Sequence, residues 1–359
     1  MSHIVRAEER IDLCTDMFMT RMKEFANTGE IIDMSKWAQM YAFDVIGQLF
    51  FSRMFGFMKD KSDYRGYIRS LDLLVPILTT SCVLPTYIRP LFLGIVVLMP
   101  GVYKALGSLK DIEKAAESCV SERQRLVESG DVTENKDILS SLFDIVREKG
   151  EKLDFGMTEV QVEVFGALFA GSDTTAAALS SILYHVVKSP TAYRKLTEEI
   201  DQATKSGQLS VPNVQYQEAM KLPYLVACCK EGMRIHPSVA LTLPRHVPQG
   251  GCTISGDWFA EGTRVGVNAA VVHRDKGIFG EDADSFNPDR WFRDDAVNMD
   301  RYMFHFGGGS RTCIGKNLIP QLLRSFDLEL TDQEWETHNF WFHKPSNFNV
   351  RLRPKATSV

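Results

Sequence analysis

Phe306-Gly307-Gly308-Gly309-Ser310-Arg311-Thr312-Cys313-Ile314-Gly315 is the stretch on which the reading of this chain turns. Three consecutive glycines exclude regular structure and let the backbone approach another group closely. A cysteine near the end of such a loop presents its sulfur among backbone N–H groups. Their dipoles stabilise the thiolate, the form that ligates a metal. Arg311 places a fixed cationic fork two residues before that sulfur, suited to a carboxylate. Thiolate and arginine together suit haem, which carries an iron and two propionates. The plainer alternative is a glycine turn holding a buried free cysteine.

The spacing of Phe306, Gly309, Arg311, Cys313 and Gly315 resembles the haem-binding signature of the cytochrome P-450 superfamily of haem-thiolate monooxygenases. A second resemblance lies upstream, in Ala170-Gly171-Ser172-Asp173-Thr174-Thr175, within an otherwise apolar helical pattern. Gly171 costs about 1 kcal/mol against Ala in a helix interior, and Asp and Thr compete with the backbone for hydrogen bonds. Such residues in a buried helix ask for a purpose, the bland one being a polar face in water. The order Ala/Gly-Gly-x-Asp/Glu-Thr-Thr is that superfamily's oxygen-binding signature. It implies that Asp173 and Thr174 deliver protons to dioxygen, while a small residue at 170 or 171 leaves room for it. A hydroxyl relays a proton without carrying charge, and an acid connects it to water.

Two further segments fit the same family in the same order. Glu231 and Arg234 lie three apart on one helix face and can pair. The resemblance adds Arg290, from Phe286-Asn287-Pro288-Asp289-Arg290-Trp291, to close a Glu231–Arg234–Arg290 network. Asp289 and Trp291 stand where the family often has Glu and Phe, which reads as mild change. Leu243-Pro244-Arg245 resembles the segment whose arginine holds a haem propionate. His246, His273 and His305 read as surface or structural residues rather than iron ligands. Lys316 is followed by Asn317, so Gly315-Lys316-Asn317 is not a phosphate-binding loop.

The composition is consistent with this. The chain has 359 residues, 44% of them hydrophobic, enough for a sizeable core. A net charge of −5 gives no electrostatic case for nucleic acid. Cysteines 14, 82, 119, 228, 229, 252 and 313 form no CxxC pair, so neither a zinc module nor a thioredoxin-like site is indicated. Their odd number and loose spacing favour a reducing compartment.

Along the chain, residues 7–27 and 34–51 read as amphipathic helices, with Trp37, Tyr41, Val45 and Leu49 on a core face. A helix over 64–80 follows, then a Pro-punctuated apolar loop over 83–100 and a long charged helix to about 130. The apolar loop fits burial inside the fold first, and otherwise a membrane surface or a cover over a hydrophobic site. Its run Leu91 to Met99 is about half of what a spanning helix needs. The opening residues read as a polar helix, not a signal peptide. After a polar link at 131–137 and a helix over 138–148, Thr158 reads as an N-cap with Gln161 in a capping box, starting a helix that Pro190 stops. Further helices fall before 205 and over 224–236, with a short one between Pro212 and Pro223. Strands fall at 252–254, 264–268 and 348–352.

The expectation is a mainly α protein with small β-sheets, a cytochrome P-450 fold incomplete at the N-terminus, in one domain over 1–359. The resemblance, closest to fungal microsomal members of the pisatin demethylase and benzoate hydroxylase group, implies haem b with Cys313 as axial thiolate. It implies that Phe306, Gly309, Arg311, Gly315, Arg245, Ala170 and Gly171 line the cofactor. It also implies a lipophilic small-molecule substrate, O2, and electrons from NADPH through a flavoprotein reductase, in secondary metabolism or aromatic detoxification. The family is anchored in the endoplasmic reticulum. Against its pattern the expectation is a chain without the anchor, the first sheet and the early helix with Trp-x-x-x-Arg, since Trp37 is followed by Tyr41. The location expected from that is the cytoplasm, or a membrane surface through residues 83–100. The helix after Cys313 also falls about two turns short of the family's. The rival reading is therefore a non-catalytic remnant that binds haem poorly or not at all.

Overall fold

A computed structural model describes residues 2–129, 137–308, 320–332 and 334–355. The N-terminal half is helical: α1 (Ser2–Thr28), α2 (Met34–Phe51), α3 (Phe57–Asp60), α4 (Tyr67–Val83), α5 (Arg89–Val97), α6 (Pro100–Glu128) and α7 (Ile138–Leu153). Then come α8 (Met157–Lys188), α9 (Pro190–Lys205), α10 (Tyr216–Ala219), α11 (Pro223–Ile235), α12 (Ala269–Val272), α13 (Lys276–Phe279), α14 (Ala296–Arg301) and α15 (Pro320–Ser325).

The strands are short and antiparallel. In chain order they are β1 (Ile31–Asp33), β2 (Thr242–His246), β3 (Cys252–Ile254), β4 (Asp257–Phe259), β5 (Arg264–Asn268), β6 (Phe326–Leu330), β7 (Glu336–Phe340), β8 (Phe342–Ser346) and β9 (Asn349–Pro354). One three-stranded sheet has the order β1-β9-β6, with Ile32 opposite Val350 and Leu328 opposite Leu352. The remaining pairs are β2 with β5, β3 with β4, and the β7–β8 hairpin. This is the mainly α architecture with small sheets that the sequence implied.

The core is built on α8, which packs against α2, α6, α7, α9, α11 and β8. Two glycines make the closest approaches possible. A Cβ on Gly232 would meet Ile182 Cγ1 at 2.6 Å, so α11 lies directly on α8; a Cβ on Gly171 would meet Ile46 Cδ1 at 2.7 Å, so α2 does the same. Trp37 and Tyr41 sit in this core as expected, Trp37 edge-on to Phe25 at 5.1 Å and the Tyr41 hydroxyl 3.1 Å from Thr15 Oγ1. Burying side chains of this size contributes about 1.5–3 kcal/mol each.

Two local expectations are corrected. The start of α8 is capped at Gly156, not Thr158: the Glu159 carboxylate accepts the Gly156 N–H at 2.8 Å, two residues earlier than the Thr158–Gln161 pair. Residues 83–100 are not a loop throughout, because Pro90 falls in the first turn of α5, where a missing N–H costs no hydrogen bond. That segment is not buried either. Val96 alone in α5 is buried, while Leu91, Ile95 and Leu98 are exposed. Among the described residues no single helix is long and apolar enough to cross a membrane; α5 and the start of α6 pass that test only as a pair bent by 91°.

Candidate active site

The centre of α8 carries Ala170, Gly171, Asp173 and Thr174 on different sides of the helix. Gly171 is committed to α2 through Ile46, so Ala170, which is exposed, is the small residue on the open side. The Thr174 hydroxyl donates to the Ala170 carbonyl at 2.9 Å. The Thr174 carbonyl in turn accepts from Ser238 Oγ at 2.8 Å, where an ordinary helix would look only to its own backbone. Ser238 also accepts the His343 N–H on its carbonyl at 2.8 Å, tying α8 to β8 at this level.

Asp173 points away from that open side and is 2% exposed. Gln39 of α2 donates to its carboxylate. Lys344 of β8 brings its ammonium to 3.6 Å, and the same ammonium pairs with Asp72 of α4, which is half exposed. Burial pushes the Asp173 carboxyl above its usual range, against the opposing pull of Lys344. The result is a buried acid connected to the surface by one lysine and one carboxylate. Gln39, Lys344 and Asp72 carry no motif, which is why sequence reading missed them.

The second constellation is the charged node at Glu231. Arg234 gives Nε and Nη2 to Glu231 at 3.0 and 2.9 Å, and its other N–H groups go to the carbonyls of His273, Ala283 and Ser285. Arg290 gives Nε to Glu231 at 2.9 Å, and its remaining donors reach the Phe279, Asp282 and Ser285 carbonyls and the Asp282 carboxylate. All three side chains are 0% exposed. Every donor of both guanidiniums is used, the condition under which a buried charge is tolerated. Trp291 belongs to the node as well: its indole N–H donates to Glu231 at 3.0 Å, a bond that Phe cannot make. Asp289 instead takes Lys195 at 2.7 Å on the surface.

The node reaches the glycine-rich stretch through His273. This ring is bonded to the Arg234 carbonyl at 3.0 Å and accepts the Phe304 N–H at 2.8 Å. Phe306 follows, half-buried, its ring 4.1 Å from that of His305. Gly309, Arg311, Cys313 and Gly315 lie outside the described residues. Arg245 of β2 is exposed; its guanidinium donates to the Pro244 carbonyl at 2.9 Å and to no carboxylate among the described residues. An arginine with no internal acid fits a propionate. So the residues in view are compatible with haem. His246 is exposed and His273 is fully buried and structural, as the sequence suggested.

Residues 1–347 match the family profile described as Cytochrome P450. The chain is 40% identical over 364 residues to the cytochrome P450 monooxygenase gsfF of Penicillium aethiopicum, covering 98% of this chain and 72% of that one. It is 36% identical to the cytochrome P450 monooxygenase ACRTS1 of Alternaria alternata, over 99% of this chain and 97% of the relative. It is 34% identical to a pisatin demethylase of Fusarium vanettenii, over 99% and 69%. With relatives at this identity named as monooxygenases, the chain is an oxidoreductase and belongs to the cytochrome P450 family.

Proposed function

We propose that this chain inserts one oxygen atom from O2 into a lipophilic small molecule, in fungal secondary metabolism or aromatic detoxification. The observation that carries the reading is Asp173, an acid removed from water beside Thr174 and connected outward by Lys344 and Asp72. Cys313 is the axial thiolate, and Arg311 and Arg245 hold the propionates by charge-assisted bonds. Phe306, Gly309 and Gly315 shape the loop around the sulfur, and Ala170 leaves the helix surface open. When bound, haem b supplies the activation of dioxygen. Reducing the second oxygen atom to water takes protons as well as electrons. Lys344 and Asp72 recharge Asp173 from solvent, and Thr174 Oγ1, held on the Ala170 carbonyl on another side of the helix, offers the hydroxyl for the inward step. Gly171 acts at one remove, by letting α2 bring Gln39 to Asp173.

Electrons come from NADPH through a flavoprotein reductase. The exposed apolar residues of α5 and its flanks, with Leu91, Ile95, Leu98 and Tyr103 foremost, support contact of residues 83–100 with the endoplasmic reticulum surface. The pisatin demethylase among the relatives supports an aromatic substrate class.

The test is the absorbance spectrum of the reduced, CO-treated chain, alone and after haem reconstitution, beside Cys313→Ala. A far red-shifted Soret band, lost in the variant, establishes thiolate ligation at Cys313. No haem under either condition overturns the enzyme and supports the remnant that keeps its motifs without turnover.

A further inference from the structure

His273 follows α12 and is 0% exposed, so neither of its ring nitrogens has water as a substitute partner. Both partners are backbone groups of fixed polarity. The Arg234 carbonyl, 3.0 Å from Nδ1, can only accept, so Nδ1 carries the proton. The Phe304 N–H, 2.8 Å from Nε2, can only donate, so Nε2 presents its lone pair. The tautomer is thereby fixed. His273 grips the same arginine a second time, its own carbonyl accepting Arg234 Nη1 at 2.6 Å. On the other side the Phe304 carbonyl takes the Gly307 N–H at 2.8 Å, closing the turn that leads into the glycines.

We propose that His273, as the neutral Nδ1–H tautomer, is a positioning residue for the cysteine loop, carrying the rigidity of the Glu231–Arg234–Arg290 node onto the Phe304 amide. Its consequence at the haem rests on Cys313 being the ligand; the coupling of node to loop does not. The node needs such an outlet. Its arginines bond the carbonyls of residues 273, 279, 282, 283 and 285, all before the loop, and the His273 ring extends that frame to residue 304. A backbone N–H entering a glycine-rich turn has no side-chain packing to hold it, so one buried acceptor decides where it sits.

The test uses the full chain, with and without added haem b. The ring 15N shifts of selectively labelled His273 are expected to report a protonated Nδ1 and an unprotonated Nε2. Amide exchange at Phe304 is expected to quicken about tenfold or more in His273→Leu, which has no acceptor. His273→Gln, whose side-chain oxygen can take the Nε2 role, is expected to recover most of that protection. With haem added, the red-shifted CO band should be retained in His273→Gln and weakened in His273→Leu. An Nε2–H tautomer, or Phe304 exchange unchanged in both variants, overturns the proposal. Should His273→Leu fail to fold by circular dichroism, the tautomer and the Gln variant still decide. If the wild-type chain takes up no haem, the monooxygenase reading fails while the exchange and 15N results stand on their own.

Discussion

Glu231 is 0% exposed and Asp173 is 2% exposed, and the surroundings of the two acids differ in kind. Glu231 accepts from Arg234, Arg290, Trp291 and the Asn287 backbone. Asp173 has one amide donor, Gln39, and an ammonium at 3.6 Å that is shared with Asp72. The first site is saturated with donors, so its geometry is rigid. The second is sparse and its carboxyl is raised, so a proton can arrive and leave at modest cost. The buried charge at Glu231 is surrounded by donors, whereas the one at Asp173, which we propose handles protons, is left with slack.

The sharpest break of this contrast is Glu231→Ala. It strands two buried guanidiniums, and truncating one member of such a network costs about 3–5 kcal/mol. Urea unfolding should move to much lower midpoints, or the chain should fail to accumulate. An effect under about 1 kcal/mol would mean that the node is not the frame described. Next come the buried histidines, one on each side. His273 belongs to the Glu231 node; His236 stacks on His343 beside Lys344, with its Nε2 at 2.7 Å from the His343 carbonyl. Burial, and Arg234 for the first, hold them down to about 4 and about 3, from an ordinary 6.5. Both are therefore neutral in the folded chain while the unfolded chain takes up their protons. Their contribution is complete above pH 6.5 and is lost as pH falls from there toward about 4 for His273 and about 3 for His236. Each adds about 1.4 kcal/mol per pH unit to the slope of stability. His236→Phe should lower the measured slope by one such increment.

Asp173→Asn tests the sparse side. The amide still accepts from Gln39 but cannot move a proton, so stability should stay within about 1 kcal/mol while product formation falls about a hundredfold. Unchanged turnover on a substrate that wild type oxidises would remove Asp173 from the proton path.

Much of this was legible in residue order, and the limits have a physical origin. Residues 34–51 announced α2 to the residue, because Asp33 caps it by accepting the Ser35 N–H at 3.0 Å and Ser52 ends it in the left-handed region. The Glu231–Arg234 spacing was visible on one helix face, and Arg290 came from the family's order. Lys344, Gln39 and Asp72 were not visible: they reach Asp173 from β8, α2 and α4, and only tertiary packing brings them together. The helix within 83–100 was hidden by its proline, which reads as a breaker unless its place in the first turn is known.

Trp291 marks where sequence reading was closest to right and still missed the chemistry. In place of Phe it looked like one large aromatic for another. In the structure its indole N–H closes the last coordination of Glu231 Oε2 at 3.0 Å, and its ring lies under the Lys230 ammonium at 5.2 Å. Trp291→Phe keeps most of the packing and removes the bond, so the cost should be small, about 1 kcal/mol, because Arg234 Nε still serves the same oxygen. The double variant with Lys230→Ala should add little, since that cation–π contact is partly exposed and worth about 0.5–1 kcal/mol. A loss several times larger for Trp291→Phe alone, read from urea midpoints at pH 7.5, would mean that Glu231 depends on its complete set of donors. The saturated site would then be held together cooperatively, where the sparse one at Asp173 is held contact by contact.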